Sequence, residues 1–597
     1  MNQSWKRFRP KTQIIPKSWR DKFNFNFRYA LIFLSLLLIF GGVFFAYRYY
    51  LQHTTVVATE GGTLIEGMAG QPKNINPILS QTNDVDRDLV KLIFSGLLTF
   101  DQDRNLVGDL ANDWTVSEDE KSYLFNLKDN VYWHDGEKFS ADDVIFTYQL
   151  IQNDQYPGTL TDNWRDVIIE KVNDYQVKFT LPEVFSPFLV NLTTGILPQH
   201  LLYDIPVTKI DSDDFNTKPI GTGPYKLDTL KYDRLQQRYD SINLIVNDKY
   251  FGKIPHINKI SFKFFDDYQK LYNAYKNKEI MSISRILIAD WPMVVGSTNN
   301  INYFDIALPQ YSAIFINQDS KDLLRDPYVK EAMAYSLNRE EILEKVLYGK
   351  GQVIDTPIPD GYMGHNPDIL HIFQDTEKSK ALLEQGKWTD VDGDGVREKD
   401  NTRLQIRLVT TDNPEFMLSA SMIQKYWQEI GIEVLLDTYN IGDLETQIIK
   451  TRNYDCLLFG ENLGLDPDPY PYWHSSQISN PGLNLAQYIN IEVDKYLETG
   501  RKSNDIDTRI HSYLPFQEVI FDDKPAIFLI QPFYIYATNP SVQGINMERA
   551  SNPADRFQFI SDWYINTKRI WKTNDENLND NIVENGITDP DNTAPEN

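Results

Sequence analysis

Asp390-Val-Asp392-Gly-Asp394-Gly395 sets three carboxylates at alternate positions ahead of a glycine, the opening of a calcium-binding loop. Such a loop closes with a bidentate glutamate at its twelfth position. Here that position is Asn401, so a turn ahead of a strand at Leu404 is the simpler reading, and no metal is expected. Gly221-Thr-Gly-Pro-Tyr225 lacks the third glycine of a dinucleotide fingerprint and reads as a tight turn. The chain carries no G-x-S-x-G, no H-E-x-x-H and no phosphate loop, and its eight histidines scatter without metal-ligand spacing. No enzyme, catalytic residue or cofactor is therefore expected, although a Ser/His/Asp set assembled only in space is not visible at this level. Chemistry of another kind is concentrated at Asp466-Pro-Asp-Pro-Tyr-Pro-Tyr-Trp-His-Ser-Ser-Gln477, followed by Asn484 and Tyr488. Aromatic faces beside Trp, His, Ser and Gln could stack on and orient a polar ligand. Equally, the prolines could shape a loop and the aromatics fill a core.

A chain of 597 residues exceeds what one core supports, so two or more lobes must position these groups, and 41% apolar residues can pack them. Residues 1–28 carry eight Lys or Arg against Asp21, a net +7, which leaves −32 for the rest of a chain totalling −25. So acidic a body repels phosphate backbones, and no nucleic-acid partner is expected. Tyr29 to Tyr47 runs 19 residues without a charge, about 28 Å as a helix and close to a bilayer core. The basic flank predicts a cytoplasmic N-terminus, a single pass at 29–47 and an extracytoplasmic body after a tether at 48–59. A cleaved signal peptide is the rival; the run is long for one, and Arg48-Tyr49-Tyr50-Leu51 is a poor cleavage site. Cys456 is the only cysteine, which excludes an intramolecular disulfide, and its apolar neighbours predict a buried strand.

The element pattern is mixed α/β. Tyr123–Leu127 and Val131–Trp133 read as strands, Ser140 caps a helix with Asp143 in its first turn, and Tyr175–Leu181 alternates as a strand. Asp326-Pro327 and Asn338 with Glu341 open two successive helices, the second ended by Gly349. The strand at Leu404, a helix from Asn413-Pro414 to Ile430 and a strand from Ile432 form a β-α-β unit, hence a partly parallel sheet. From about Lys572 the composition predicts an acidic disordered tail, 572–597.

Several segments together resemble the family 5 solute-binding proteins of ABC importers, which include oligopeptide-, dipeptide- and nickel-binding members. They are Gly70–Pro77, Leu92–Leu98, Leu110–Ser117, Val131–Gly136 running into Phe139–Thr147, Gly221–Tyr225, Asp326–Ala332 with Asn338-Arg339, and Gly393–Gly395. Their order and spacing match over roughly 62–565. The resemblance implies a two-lobed, type II periplasmic-binding-protein-like fold with three domains after the helix. Domain I would span 60–103, 219–309 and 541–571, domain II 104–218 and domain III 310–540.

It further implies capture of a small ligand, a peptide in the first instance, by lobe closure and delivery to an ABC permease and its ATPases. A ligand sensor of the same fold, or an anchored hydrolase, is the alternative. Under this reading Trp133–Gly136 is a structural turn. Ligand contacts carried over from the family fall at Ser80–Asn83, giving Gln81 and Asn83, and at Gly460–Pro467, giving Glu461 and Asp466. Peptide-binding members hold the peptide amino group with an aspartate three residues before the acidic-Pro pair; here that position is Leu463, with Glu461 nearby as a substitute. Trp473, His474, Ser475, Gln477 and Asn484 are added from the aromatic segment, and Tyr534 from a late strand at Phe528–Tyr536.

Overall fold

The computed structural model describes residues 17–464 and 466–572, with side chains from Tyr29 onward. The expected basic tail, as regards its side chains, and the acidic tail beyond Lys572 lie outside the described residues. The chain divides into two units, residues 60–565 and a smaller one made from 17–59 and 566–572.

In the larger unit the buried core residues fall into two sets, with half-buried Ile288 packing against both. One lobe packs residues 64–308 together with 534–563; the other packs residues 311–530. A twelve-stranded sheet runs through both, and the 13-residue strand Ala526–Thr538 is its spine. The first half of this strand pairs with Gln310–Ile316, and its second half pairs with Asn302–Ala307 and Ser282–Ile286. Only two stretches therefore cross between the cores, 302–316 and 526–538, and each carries a proline near the crossing, Pro309 and Pro532. Proline lacks a ladder donor, so each crossing forgoes one backbone hydrogen bond there.

The first lobe also holds a four-stranded antiparallel sheet in the order Ala111–Val116, Ser122–Leu127, Gln176–Thr180, Ile168–Asn173. Helix Ala141–Gln152 starts in a capping box between Ser140 and Asp143. Its Tyr148 stacks on Trp164 with centroids 3.9 Å apart, beside Phe179 and Phe188. Asp326 and Asn338 cap helices Pro327–Tyr335 and Arg339–Leu347, as their sequence predicts. The second of these ends on Tyr348 at φ +51°, one residue ahead of Gly349. Strand Gln405–Thr411, helix Pro414–Glu429 and strand Glu433–Tyr439 form the parallel β-α-β unit, and Cys456 is buried in a strand beside it.

Val131–Trp133 is not a strand. Trp133 donates its backbone N–H to Glu137, and Gly136 at φ +100° completes a turn. This turn packs on Gly221–Gly223, where a Cβ on Gly221 would stand 1.9 Å from the Ile93 carbonyl oxygen. The glycines permit that approach. His134 accepts the Gly221 N–H at 3.2 Å, and burial pushes its imidazole down to about 4, so it is neutral and structural.

In the smaller unit, helix Lys17–His53 runs into strand Thr54–Thr59, which pairs antiparallel with Asn566–Trp571. Tyr29–His53 is long and apolar enough to cross a membrane, with a mean hydropathy of 2.5 and no buried face.

Candidate ligand-binding cleft

Two adjoining cavities of about 1070 and 810 Å³ lie between the lobes and share Phe100, Val190, Asp466, Asp555, Gln558 and Phe559 in their walls. The lobes meet at one margin of this cleft. The Asn504 side chain donates to the Tyr123 hydroxyl at 2.8 Å, its backbone N–H donates to Glu120 at 2.9 Å, and Ser186 N–H donates to the Arg501 carbonyl at 3.0 Å. A wall residue of the cleft is tied to the crossing. Tyr362 lines the larger cavity and donates to the Ala307 carbonyl, while buried Gln531 donates to Leu308 at 2.6 Å.

Asp466 borders both cavities just beyond strand Cys456–Asn462, where Gly464 at φ +75° donates its N–H back to the Asn462 side chain. Its carboxylate forms a two-point pair with Arg509, at 2.9 and 2.5 Å. Burial opposes the Arg509 charge, and Asp466 outweighs it, so the guanidinium stays protonated. Asp468 is buried two residues on. Burial raises its carboxyl against the pull of Arg501, which lies over the rings of Tyr470 and Phe185 at 4.3 and 5.0 Å.

The other cavity cations are paired likewise: Arg549 with Asp360, Arg87 with Asp84, Lys91 with Asp555, and Lys253 with Asp562. Arg104 differs. Held at φ +67°, it lies 5.5 Å from the Tyr362 ring and donates to the Ser551 hydroxyl at 2.8 Å, with no ion pair among the described residues. Neither cavity is lined by histidine or cysteine among the described residues.

The expected contact residues divide in two. Gln81 and Asp466 face the cleft. Asn83 instead caps helix Asp84–Ile93 and donates to the Gln71 carbonyl. Glu461 is buried opposite Tyr311, whose hydroxyl it accepts at 2.5 Å; burial pushes its carboxyl up to about 8, and its second oxygen has no partner. Trp473 is buried among Phe315 and Phe528, with its indole N–H unpaired. His474 stacks on Tyr470 and hydrogen-bonds Ser476, and Ser475 is held by Asp494. Gln477 donates to Ser476, and buried Asn484 donates to the carbonyls of Trp473, His474 and Tyr488. Tyr534 is buried and donates to the Ser284 carbonyl. The aromatic segment therefore supports the cleft wall from behind, while its Tyr472 and Pro471 reach the cavity. Arg104 and Tyr362 carry no sequence signal, because each is a single residue brought in from a distant loop.

Residues 105–482 match the bacterial extracellular solute-binding proteins, family 5 Middle. The chain belongs to this family. Oligopeptide-binding protein AppA of Bacillus subtilis (strain 168) is 29% identical over 496 residues, which is 81% of this chain and 89% of the relative. The structure of AppA in complex with a nonapeptide superposes with a TM-score of 0.64 at 27% identity, covering 85% of this chain and all of that one. NikZ from Campylobacter jejuni in complex with Ni(L-His) gives 0.65 at 26% identity, covering 84% and 99%. This family 5 body is a two-lobed, extracytoplasmic solute-binding protein.

Proposed function

We propose that this chain captures oligopeptides in the interlobe cleft and delivers them to an ABC permease and its ATPases, tethered by an uncleaved apolar helix. The paired cavities carry the reading. Together they exceed the roughly 300–1,000 Å³ of a usual small-molecule site, and their mixed polar and aromatic walls suit an extended backbone. A peptide that touches both lobes stabilises the closed arrangement selectively, which is how capture becomes a signal to the permease. The likeness to a nonapeptide-binding relative supports the same substrate class. The retained anchor is supported by the carbonyls of Leu51 and His53, at the end of the helix, which accept hydrogen bonds from Arg569 and Lys572.

Arg104 is the cation left to receive a peptide carboxylate. Calorimetric titration with a nonapeptide tests this. Arg104→Ala should weaken binding by about tenfold or more, the worth of a hydrogen bond to a charged group. The C-terminally amidated peptide should bind the variant and the unaltered chain alike. An equal loss for acid and amide would remove Arg104 from carboxylate recognition.

A further inference from the structure

The larger cavity is not uniform around its wall. Beside its polar lining it carries Trp114, Val116 and Leu189 from the first lobe, and Met363 and Ile506 from the second. Strand register fixes which way the first two point. Trp114 and Val116 lie opposite Phe125 and Tyr123 on the neighbouring strand, and directly opposed residues share one face of a sheet. The Trp114 and Phe125 rings accordingly stack, with centroids 6.0 Å apart. Tyr123 is also where the second lobe arrives, since the Asn504 side chain donates to its hydroxyl at 2.8 Å. Ile506 follows Asn504 by two residues, so Val116 and Ile506 flank one interlobe bond from opposite lobes.

Burial divides sharply at this margin. Tyr123 and Phe125 are fully buried, whereas Val116 is 40% exposed and Ile506 is 59% exposed. Ile506 opens helix Ile506–Asp523, whose start is already capped by Asp505. A β-branched residue adds nothing to that helix signal. Single exposed apolar side chains are ordinary on a protein surface. Two that face one cavity from different lobes, with Trp114, Leu189 and Met363 in the same wall, make a divided apolar surface inside a ligand-sized space.

We propose that this margin is a specificity subsite for one large apolar side chain of the captured peptide, with Val116 and Ile506 as its two jaws. The inference rests on the peptide reading above and adds which peptides are preferred. An apolar side chain between the jaws is fully shielded from water only when both lobes are close, so it favours the closed arrangement over the open one. Side-chain identity is thereby coupled to closure, whereas contacts to one lobe alone would leave that equilibrium unmoved.

Calorimetric titration of the full-length chain in detergent tests this with nonapeptides built from Ala and Ser, a single Leu being moved through every position. At one position or two neighbouring ones, Leu should tighten binding by about tenfold over the peptide without it. Ile506→Ala with Val116→Thr should reduce that gain to about twofold or less and leave the Leu-free peptide's affinity unchanged. Both residues are exposed, so neither change threatens the fold. A scan with no gain at any position overturns the subsite, and so does a gain that survives the paired substitutions. Equal weakening of the Leu-containing and Leu-free peptides overturns it as well, because the two residues would then support the cleft and not read the side chain. Those three results leave peptide capture standing; failure of every nonapeptide to bind the unaltered chain overturns both.

Discussion

Glu461 faces Tyr311 across adjacent strands inside the second lobe, and burial pushes its carboxyl from an ordinary 4.5 up to about 8. Between those values the folded chain holds a proton that the unfolded chain releases. Its contribution therefore erodes as pH rises through that window and levels off above about 8. Glu461→Gln carries no such proton. Relative to the unaltered chain, the variant should gain a few kcal/mol of stability between pH 5 and pH 8, at about 1.4 kcal/mol for each tenfold difference in proton affinity. Denaturant unfolding at the two pH values reads this directly; an unchanged difference would mean that Glu461 does not titrate there. The same residue shows where sequence reasoning reached its limit. Its nearness to Asp466 made it a candidate for a ligand's amino group, but strand alternation turns it inward while Leu463 and Tyr472 line the cavity. Trp473 follows the same logic, since prolines erase the periodicity that would have revealed its inward face.

Local signals decided the elements that were legible. Ser140, Asp326, Asn338 and Asn413 act on backbone N–H groups two or three residues away, so their helices start where the sequence places them. The expected strand Val131–Trp133 is reduced to a single Tyr132–Lys138 bridge, and the turn that follows is held by a tertiary contact, His134 exchanging hydrogen bonds with Gly221. Elements also meet across the cleft in pairings no local pattern shows, above all Asn504 with Tyr123. Tyr123 lies outside both cavity linings, so Tyr123→Phe removes one of the interlobe bonds at this margin without touching ligand. One hydrogen bond is worth about 1 kcal/mol, and peptide affinity should fall about fivefold through faster release. Stopped-flow dissociation measures it; an unchanged release rate would show that this margin does not hold the lobes together.

At the scale of the whole molecule, the two-lobed family 5 fold was legible because many short segments keep their order along the chain, though no single one is decisive. The cleft was less so, since its walls come from residues near 100, 190, 360, 466, 504 and 550, which only the fold assembles. Two cores are joined by two proline-bearing crossings, with the large cavities between them, and the proposed capture is closure of one lobe on the other. Native mass spectrometry of the full-length chain released from detergent, with bound ligands ejected and sequenced, tests the central claim most directly. The account predicts a heterogeneous ladder of oligopeptide masses, displaced by an added nonapeptide. Ejection of a single non-peptide species that a nonapeptide cannot displace would contradict it.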